Sequence, residues 1–410
     1  MVLRLTLGIG LALAMSASTV LAAGAQAPLQ IVVSKDQQSI VVYDGDTVVA
    51  TSNVSTGKAG HSTPTGIFSI LEKQRFHKSN IYSNAPMPFM QRLTWSGIAL
   101  HASNHVPDYP ASHGCVRMPG DFAKQLFKMT GRGLHVLISD RQLTPVAIAD
   151  PFLFQPAVVE PVLLSDVTLR PSVSQVHTKT VEVATIQPEP AKTVTVETER
   201  EPPIRMLITH RSQREITLDV QTQLNALGYA AGIADGYAGA QTVEAIKAFQ
   251  TAEKLAIDGK MTPAFVEALY AKARKGKPPN GQLLVRRDFE PLFKTPVVIA
   301  QPEIALGTHF LQFQNIDPST GKGEWFAMTL DNALPGPMKK RLGITMEEDA
   351  MAFNAAKRTI DRITIPDDAR QRISELLTEG SSLTMSDMGL GQETGDGTDF
   401  VTITHVAPKS

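Results

Sequence analysis

Short apolar runs separated by turn residues fill the first 140 positions of the chain. Ile31-Val32-Val33, Ser39 to Tyr43 and Thr47 to Ala50 are rich in β-branched residues, and Asp44-Gly45-Asp46 between the last two is a hairpin signal. Ile67 to Leu71 and Gly97 to His101 are further predicted strands. From Asp121 to Met129 the apolar positions take a helical period, Gly131 stops it, and Leu134 to Ile138 follows as a strand. Asp121 is the expected N-cap of that helix. Residues 28–140 therefore read as one β-rich unit.

The pattern then changes. Prolines recur from 145 to 190 among Thr, Val and Glu, and no helical period survives, so 141–210 is expected to be an extended linker. Its β-branched content leaves a strand-rich edge of a neighbouring unit as the competing reading. Residues 211–273 read as a small all-α unit with a short internal repeat. Asp235-Gly236 is followed by Val243-Glu244-Ala245-Ile246, and Asp258-Gly259 is followed at the same spacing by Val266-Glu267-Ala268-Leu269. Each copy predicts a tight turn feeding an amphipathic helix, and Pro263 suits a helix's first turn. A basic stretch rich in Pro and Gly, 274–285, is expected to be a second linker. Residues 286–405 form an α+β unit, with strands at Thr308 to Phe313, Trp325 to Leu330 and Phe400 to Thr404 and a helix from Asp367 to Leu377.

This last unit echoes the first. Pro119-Gly120-Asp121 leads to a helix, a Gly and a strand ending Ser139-Asp140; Pro366-Asp367-Asp368 leads to a helix, Gly380 and a strand ending Ser386-Asp387. The expectation is a degenerate second copy of the same fold, with Arg362 standing where Cys115 stands in the first. Chance likeness of short strand-turn-helix patterns is the alternative.

Composition narrows the function. Hydrophobic residues make up 42% and charged residues 19% of the 410 positions, an ordinary globular balance. A formal net charge of −1 gives no global field toward nucleic acid or an anionic membrane. At the N-terminus Arg4, the apolar run Leu5 to Met15 and small residues up to Ala27 follow the order of a secretory signal peptide, so 1–27 is expected to direct export to the periplasm or cell wall. An uncleaved signal anchor is the competing reading. No later stretch has membrane-spanning length.

The chain has one cysteine, and a lone thiol in an exported protein forms no intrachain disulfide. Its neighbours are informative. Leu100-His101 is followed by Ser112-His113-Gly114-Cys115-Val116-Arg117. A thiol attacks as thiolate and needs a base or a positive neighbour. A nearby His can take its proton. Backbone N–H groups at Gly114 and Cys115 could hold an oxyanion, and Arg117 could orient a carboxylate. Either His101 or His113 could be the base: His113 shares a face with Cys115 in an extended segment, and His101 ends a predicted strand. The three residues as zinc ligands match no common spacing and lack an obvious fourth partner. His61, His77 and His105 read as solvated or loop-packing residues, with His105 in the loop over the site. Asn84 to Met90 reads as a packed loop or a substrate-facing flap.

The span resembles the signature of the L,D-transpeptidase catalytic domain, and the likeness extends to Ser55-Thr56-Gly57-Lys58 and Thr63-Pro64-Thr65-Gly66-Ile67-Phe68. The resemblance implies Cys115 as nucleophile, His101 as general base, and Ser112, His113, Gly114 and Arg117 around the oxyanion and substrate. It implies acyl transfer without metal or organic cofactor. Cys115 would form a thioester with a tetrapeptide stem of peptidoglycan, release D-alanine and pass the acyl group to an amine. Carbapenem-type inhibitors are implied ligands. Ala102 stands where some members have a polar group supporting the His, so a backbone carbonyl or a weaker base is expected. Residues 211–273 resemble the three-helix peptidoglycan-binding domain through Val220-Gln221, Leu224, Leu227-Gly228, Asp235-Gly236 and Phe249-Gln250. Rival functions are an L,D-carboxypeptidase or cross-link hydrolase using the same Cys, and a non-catalytic wall-binding scaffold.

Overall fold

A computed structural model describes residues 28–79, 84–157 and 201–405. The expected signal segment, 1–27, lies outside the described residues, as do 158–200 of the expected linker. No helix among the described residues is long and apolar enough to cross a membrane.

The first unit runs β1 (Gln30–Ser34), β2 (Ser39–Asp44), β3 (Thr47–Asn53), β4 (Thr65–Ser69), β5 (Glu72–Lys78), β6 (Pro86–Arg92), β7 (Ala99–Ala102), β8 (Val116–Met118), α1 (Gly120–Met129) and β9 (His135–Ser139). Pro119, not Asp121, is the N-cap of α1, and Asp121 lies in the first turn as a favourable charge at the helix N-terminus. Strands β5 to β8 form one four-stranded sheet, order β5-β6-β7-β8. The polar β5 and the proline-bearing β6 carry no alternating pattern, which is why they are absent from the expected strands.

The chain continues through β10 (Val146–Ile148), β11 (Ile204–His210), α2 (Gln213–Ala226), α3 (Ala240–Ala252), α4 (Pro263–Lys272), β12 (Gly281–Arg287), β13 (Glu290–Ile299), β14 (Thr308–Gln314) and β15 (Glu324–Leu330). It ends with α5 (Gly336–Leu342), α6 (Ala355–Ile360), β16 (Ile363–Thr364), α7 (Asp367–Leu376), β17 (Ser382–Ser386) and β18 (Thr402–His405). Two larger sheets result, ordered β18-β4-β9-β1-β2-β3 and β10-β15-β14-β17-β11-β12-β13-β16.

Three expectations need correction. The stretch 141–210 is not all linker: β10 pairs with β15, and β11 lies inside the second sheet between β17 and β12. The stretch 274–285 is not all linker either, because β12 begins at Gly281. The all-α unit therefore sits inside the β11–β12 hairpin, and Arg211 N–H donates to Asn280 O at 3.0 Å to close its base. Finally, the last strand does not belong to the C-terminal sheet. Strand β18 pairs antiparallel with β4 of the first unit, through Thr402↔Ile67 and Ile403↔Gly66. A Cβ on Gly66 would lie 2.1 Å from Thr402 O, so glycine is required for this pairing.

The two large sheets pack face to face, and the sequence shows how. Strands β1, β4 and β9 are buried along their whole length. Alternate residues go to opposite sides. Ile31, Val33, Phe68, Val136 and Ile138 join Leu100, Val116, Phe122 and Leu126 in the first unit's own core. Val32, Ile67 and Leu137 pack on Phe310, Met328 and Leu330 of the second sheet. The inner strands of the two sheets, β4-β9-β1-β2-β3 and β14-β17-β11-β12-β13, also agree in order and in every parallel or antiparallel sense.

The repeat in the helical unit has a hydrogen-bonding basis. Gln221 accepts from Gly236 N–H at 2.8 Å and donates to Tyr237 O. Gln250 accepts from Gly259 N–H at 2.9 Å and donates to Lys260 O. Each buried amide thus closes one Asp-Gly turn, with the glycine at positive φ.

Candidate active site

Cys115 immediately precedes β8, which lies parallel to β7 with His101 opposite Arg117 and Leu100 opposite Val116. Val116 and Leu100 enter the core, so the alternating residues Cys115, Arg117 and His101 face the other way. They border one cavity of about 510 Å³. Met87, Met90 and Ala99 form an apolar wall against the half-buried Cys115.

The loop carrying Cys115 is held from below by the upstream motif. Ala111 and Ser112 N–H donate to Thr56 O, Lys58 N–H donates to Ser112 O, and Ser55 exchanges both backbone bonds with Arg117. Thr63 Oγ1 accepts from Gly57 N–H and donates to Gly114 O, both at 2.8 Å. A Cβ on Gly57 would lie 2.0 Å from His61 O, which explains a glycine there.

Ser112 Oγ donates to Cys115 O at 2.5 Å and accepts from Gly114 N–H at 3.1 Å. This closes the turn on which the cysteine rides. Gly114 has φ of 113°, and an added Cβ would lie 3.0 Å from Ile98 Cδ1. That backbone turn breaks the extended geometry on which His113 and Cys115 would share a face. His113 is exposed, with its ring edge-on to His61 at 4.8 Å, although it still borders the cavity. His101 is buried, and its Nδ1–H donates to its neighbour's carbonyl, Ala102 O, at 2.8 Å. That bond assigns the proton to Nδ1 and leaves Nε2 as the ring's acceptor.

Electrostatics set the resting protonation. Burial pushes the Cys115 thiol up, opposed by the backbone at Ala99 and the charges of Arg117 and Arg92. The thiol donates to Gly97 O at 3.3 Å. Burial pushes His101 down, opposed by the Ala102 carbonyl and reinforced by Arg117. Both shifts favour the neutral thiol and the neutral imidazole over their charged forms.

Residues 28–146 match the L,D-transpeptidase catalytic domain family. Residues 213–269 match the peptidoglycan binding domain family. The chain is similar to the L,D-transpeptidase of Stackebrandtia nassauensis, at 26% identity over 27% of this chain and 54% of that chain, with a TM-score of 0.25. It is similar to that of Xylanimonas cellulosilytica, at 26% over 28% and 61%, with a TM-score of 0.26. It is also similar to the L,D-transpeptidase LdtMt1 in complex with imipenem, at 25% over 27% and 58%, with a TM-score of 0.25. The chain thus spans about half to three-fifths of these proteins. No curated protein matches it.

Within the matching residues 28–146, the structure adds residues to the site that the motifs do not contain. His77, on β5, and Arg92, on β6, border the cavity, as do His105 and Met87. Sequence spacing held no signal for His77 or Arg92, because only the β5-β6-β7-β8 pairing brings them to Cys115.

Proposed function

We propose that this protein is a peptidoglycan L,D-transpeptidase with Cys115 as nucleophile and His101 as general base. One observation carries the reading: the only cysteine and a buried, tautomer-fixed imidazole border the same open cavity, in a domain matching that family. His101 Nε2 takes the Cys115 proton as sulfur attacks the carbonyl carbon preceding the terminal D-alanine of a tetrapeptide stem. The Gly114 N–H is engaged with Ser112, so the Cys115 N–H is the amide of that pair for the oxyanion. The C–N bond breaks, His101 returns the proton to the departing amine, and a thioester remains. An amine of a second stem then attacks, giving its proton to His101, and the restored thiolate recovers that proton.

The helical unit is proposed to hold the wall, and residues 1–27 to direct export. By family resemblance, a carbapenem's β-lactam carbonyl acylates the same sulfur. The C-terminal unit is proposed to be a degenerate copy of the catalytic fold. The shared strand order supports this, as do Pro119 and Pro366 capping α1 and α7 with near-identical dihedrals. Further support comes from matched backbone bonds, Gly133 N–H to Ile70 O and Gly380 N–H to Phe313 O, both 2.8 Å. In this copy Arg362 occupies the nucleophile's position and donates to four backbone carbonyls between 300 and 305, an internal tie in place of a reactive group.

The test is intact-protein mass after incubation with a stem tetrapeptide. Wild type should gain a thioester-linked tripeptide and Cys115→Ala should not; an adduct on the alanine variant would place the chemistry elsewhere. Muropeptide products separate transfer from hydrolysis.

A further inference from the structure

We infer that Arg92, oriented by Glu72, is a docking residue for the free carboxylate of the donor peptide's leaving residue. The inference rests on the transpeptidase reading and adds a substrate contact to it.

The sheet register sets the geometry. Glu72 pairs with Arg92, and Arg92 with Ala99. Extending the β7–β8 register by one residue places Ala99 beside Cys115. These four residues therefore form one cross-strand row, with Arg92 two strands from the nucleophile, roughly 10 Å between backbones. The intervening residue has only a methyl side chain. That methyl leaves the space between Arg92 and the sulfur open, and Arg92, Ala99 and Cys115 all border the cavity.

The arginine is held in place. Its Nε donates to Glu72 Oε2 at 2.8 Å, its guanidinium lies 5.5 Å from the Trp95 ring centroid, and its side chain is 14% exposed. Neither Nη bonds to any described residue. A guanidinium offers five N–H donors in a planar fork that fits a carboxylate, and among the described residues both Nη groups of Arg92 are unengaged. Among the described residues no Asp or Glu borders the cavity, while Arg92 and Arg117 both do. A pocket with that lining favours an anionic ligand.

The donor supplies such an anion in the right place. The carboxylate carbon of the leaving residue is two covalent bonds from the scissile nitrogen, so it stays within roughly 4 Å of the carbon that Cys115 attacks. An arginine lining the same cavity can meet it, whereas a peptide with a C-terminal amide loses the charge.

The experiment is single-turnover acylation of the full chain, read by mass, with a stem tetrapeptide as free acid and as C-terminal amide. Wild type, Arg92→Gln, Arg92→Lys and Glu72→Gln are compared, and Cys115 alkylation by iodoacetamide serves as a control. Wild type should acylate about 10- to 100-fold faster with the acid, as for loss of a charged hydrogen bond. Arg92→Gln should lose a similar factor on the acid only and treat both peptides alike, with iodoacetamide alkylation within about threefold. Arg92→Lys should retain part of the preference, and Glu72→Gln should reduce it. Equal wild-type rates on both peptides, or an Arg92→Gln that keeps the full preference, overturns the inference. Absence of any adduct on wild type would instead overturn the transpeptidase reading.

Discussion

The junction between the two large sheets contains an ion pair whose removal should be costly. Arg205, on β11, lies with Nε 3.3 Å from Asp399 Oδ2; their side chains are 11% and 3% exposed. Ser69 Oγ donates to the same carboxylate oxygen at 2.8 Å, and Arg205 also donates to Gly133 O and Gly380 O. The group thus ties the first unit, through Ser69 and Gly133, to β11 and to the turn before β17 of the second sheet. Asp399→Ala deletes the anion and leaves the guanidinium buried with two carbonyls. Burial already pulls Arg205 down, and Asp399 is what opposes it. Breaking one side of a buried pair costs about 3–5 kcal/mol. At about 2–4 °C per kcal/mol, the melting temperature should fall by about 6–20 °C. Calorimetry on wild type, Asp399→Ala, Arg205→Met and the double variant measures this. The double variant should recover part of the loss, because methionine fills the space without a charge to leave unpaired. A single-variant shift below about 2 °C, or a double variant that falls by the sum of the two singles, refutes the argument.

Other consequences can be tested separately. Because burial raises the Cys115 thiol and lowers His101, iodoacetamide alkylation should rise with a midpoint above the ordinary 9.0, and acylation should be lost only below the ordinary imidazole value of 6.5, where His101 protonates. An alkylation midpoint under about 7 would indicate a resting thiolate–imidazolium pair instead. His101→Ala should slow acylation by about 10²- to 10⁴-fold with little change in melting temperature, and a loss under tenfold would remove it as the base. Gly66→Ala should open the β4–β18 ladder, exposing Val401 at about 1.5–3 kcal/mol, and hydrogen exchange over 401–405 should accelerate; unchanged protection there would contradict the close approach. Gln250→Leu should cost about 1–3 kcal/mol and speed exchange at Gly259 N–H, with no effect at Gly236.

What the amino-acid order determined by itself was local. Runs such as Ile31 to Val33 and Leu134 to Ile138 specify strands because β-branched side chains suit a pleated, two-sided core. The spacing of Asp-Gly turns and amphipathic helices specifies the inserted helical unit, and the cluster around Cys115 specifies a thiol with imidazole neighbours. Long-range pairing decided the rest. A strand records its own faces but not its partner, so nothing in Ile204 to His210 says that it joins a sheet completed beyond residue 380, nor does Thr402 to His405 say that it returns to β4. The different placement of the two histidines was also tertiary. It turns on the positive φ of Gly114 and on a parallel β7–β8 pairing, which leave His113 exposed and His101 buried in the wall of the cavity that Cys115 borders. Arg92 entered the same wall for the same reason: backbone hydrogen bonding, not proximity in the chain, fixes which side chains share a face.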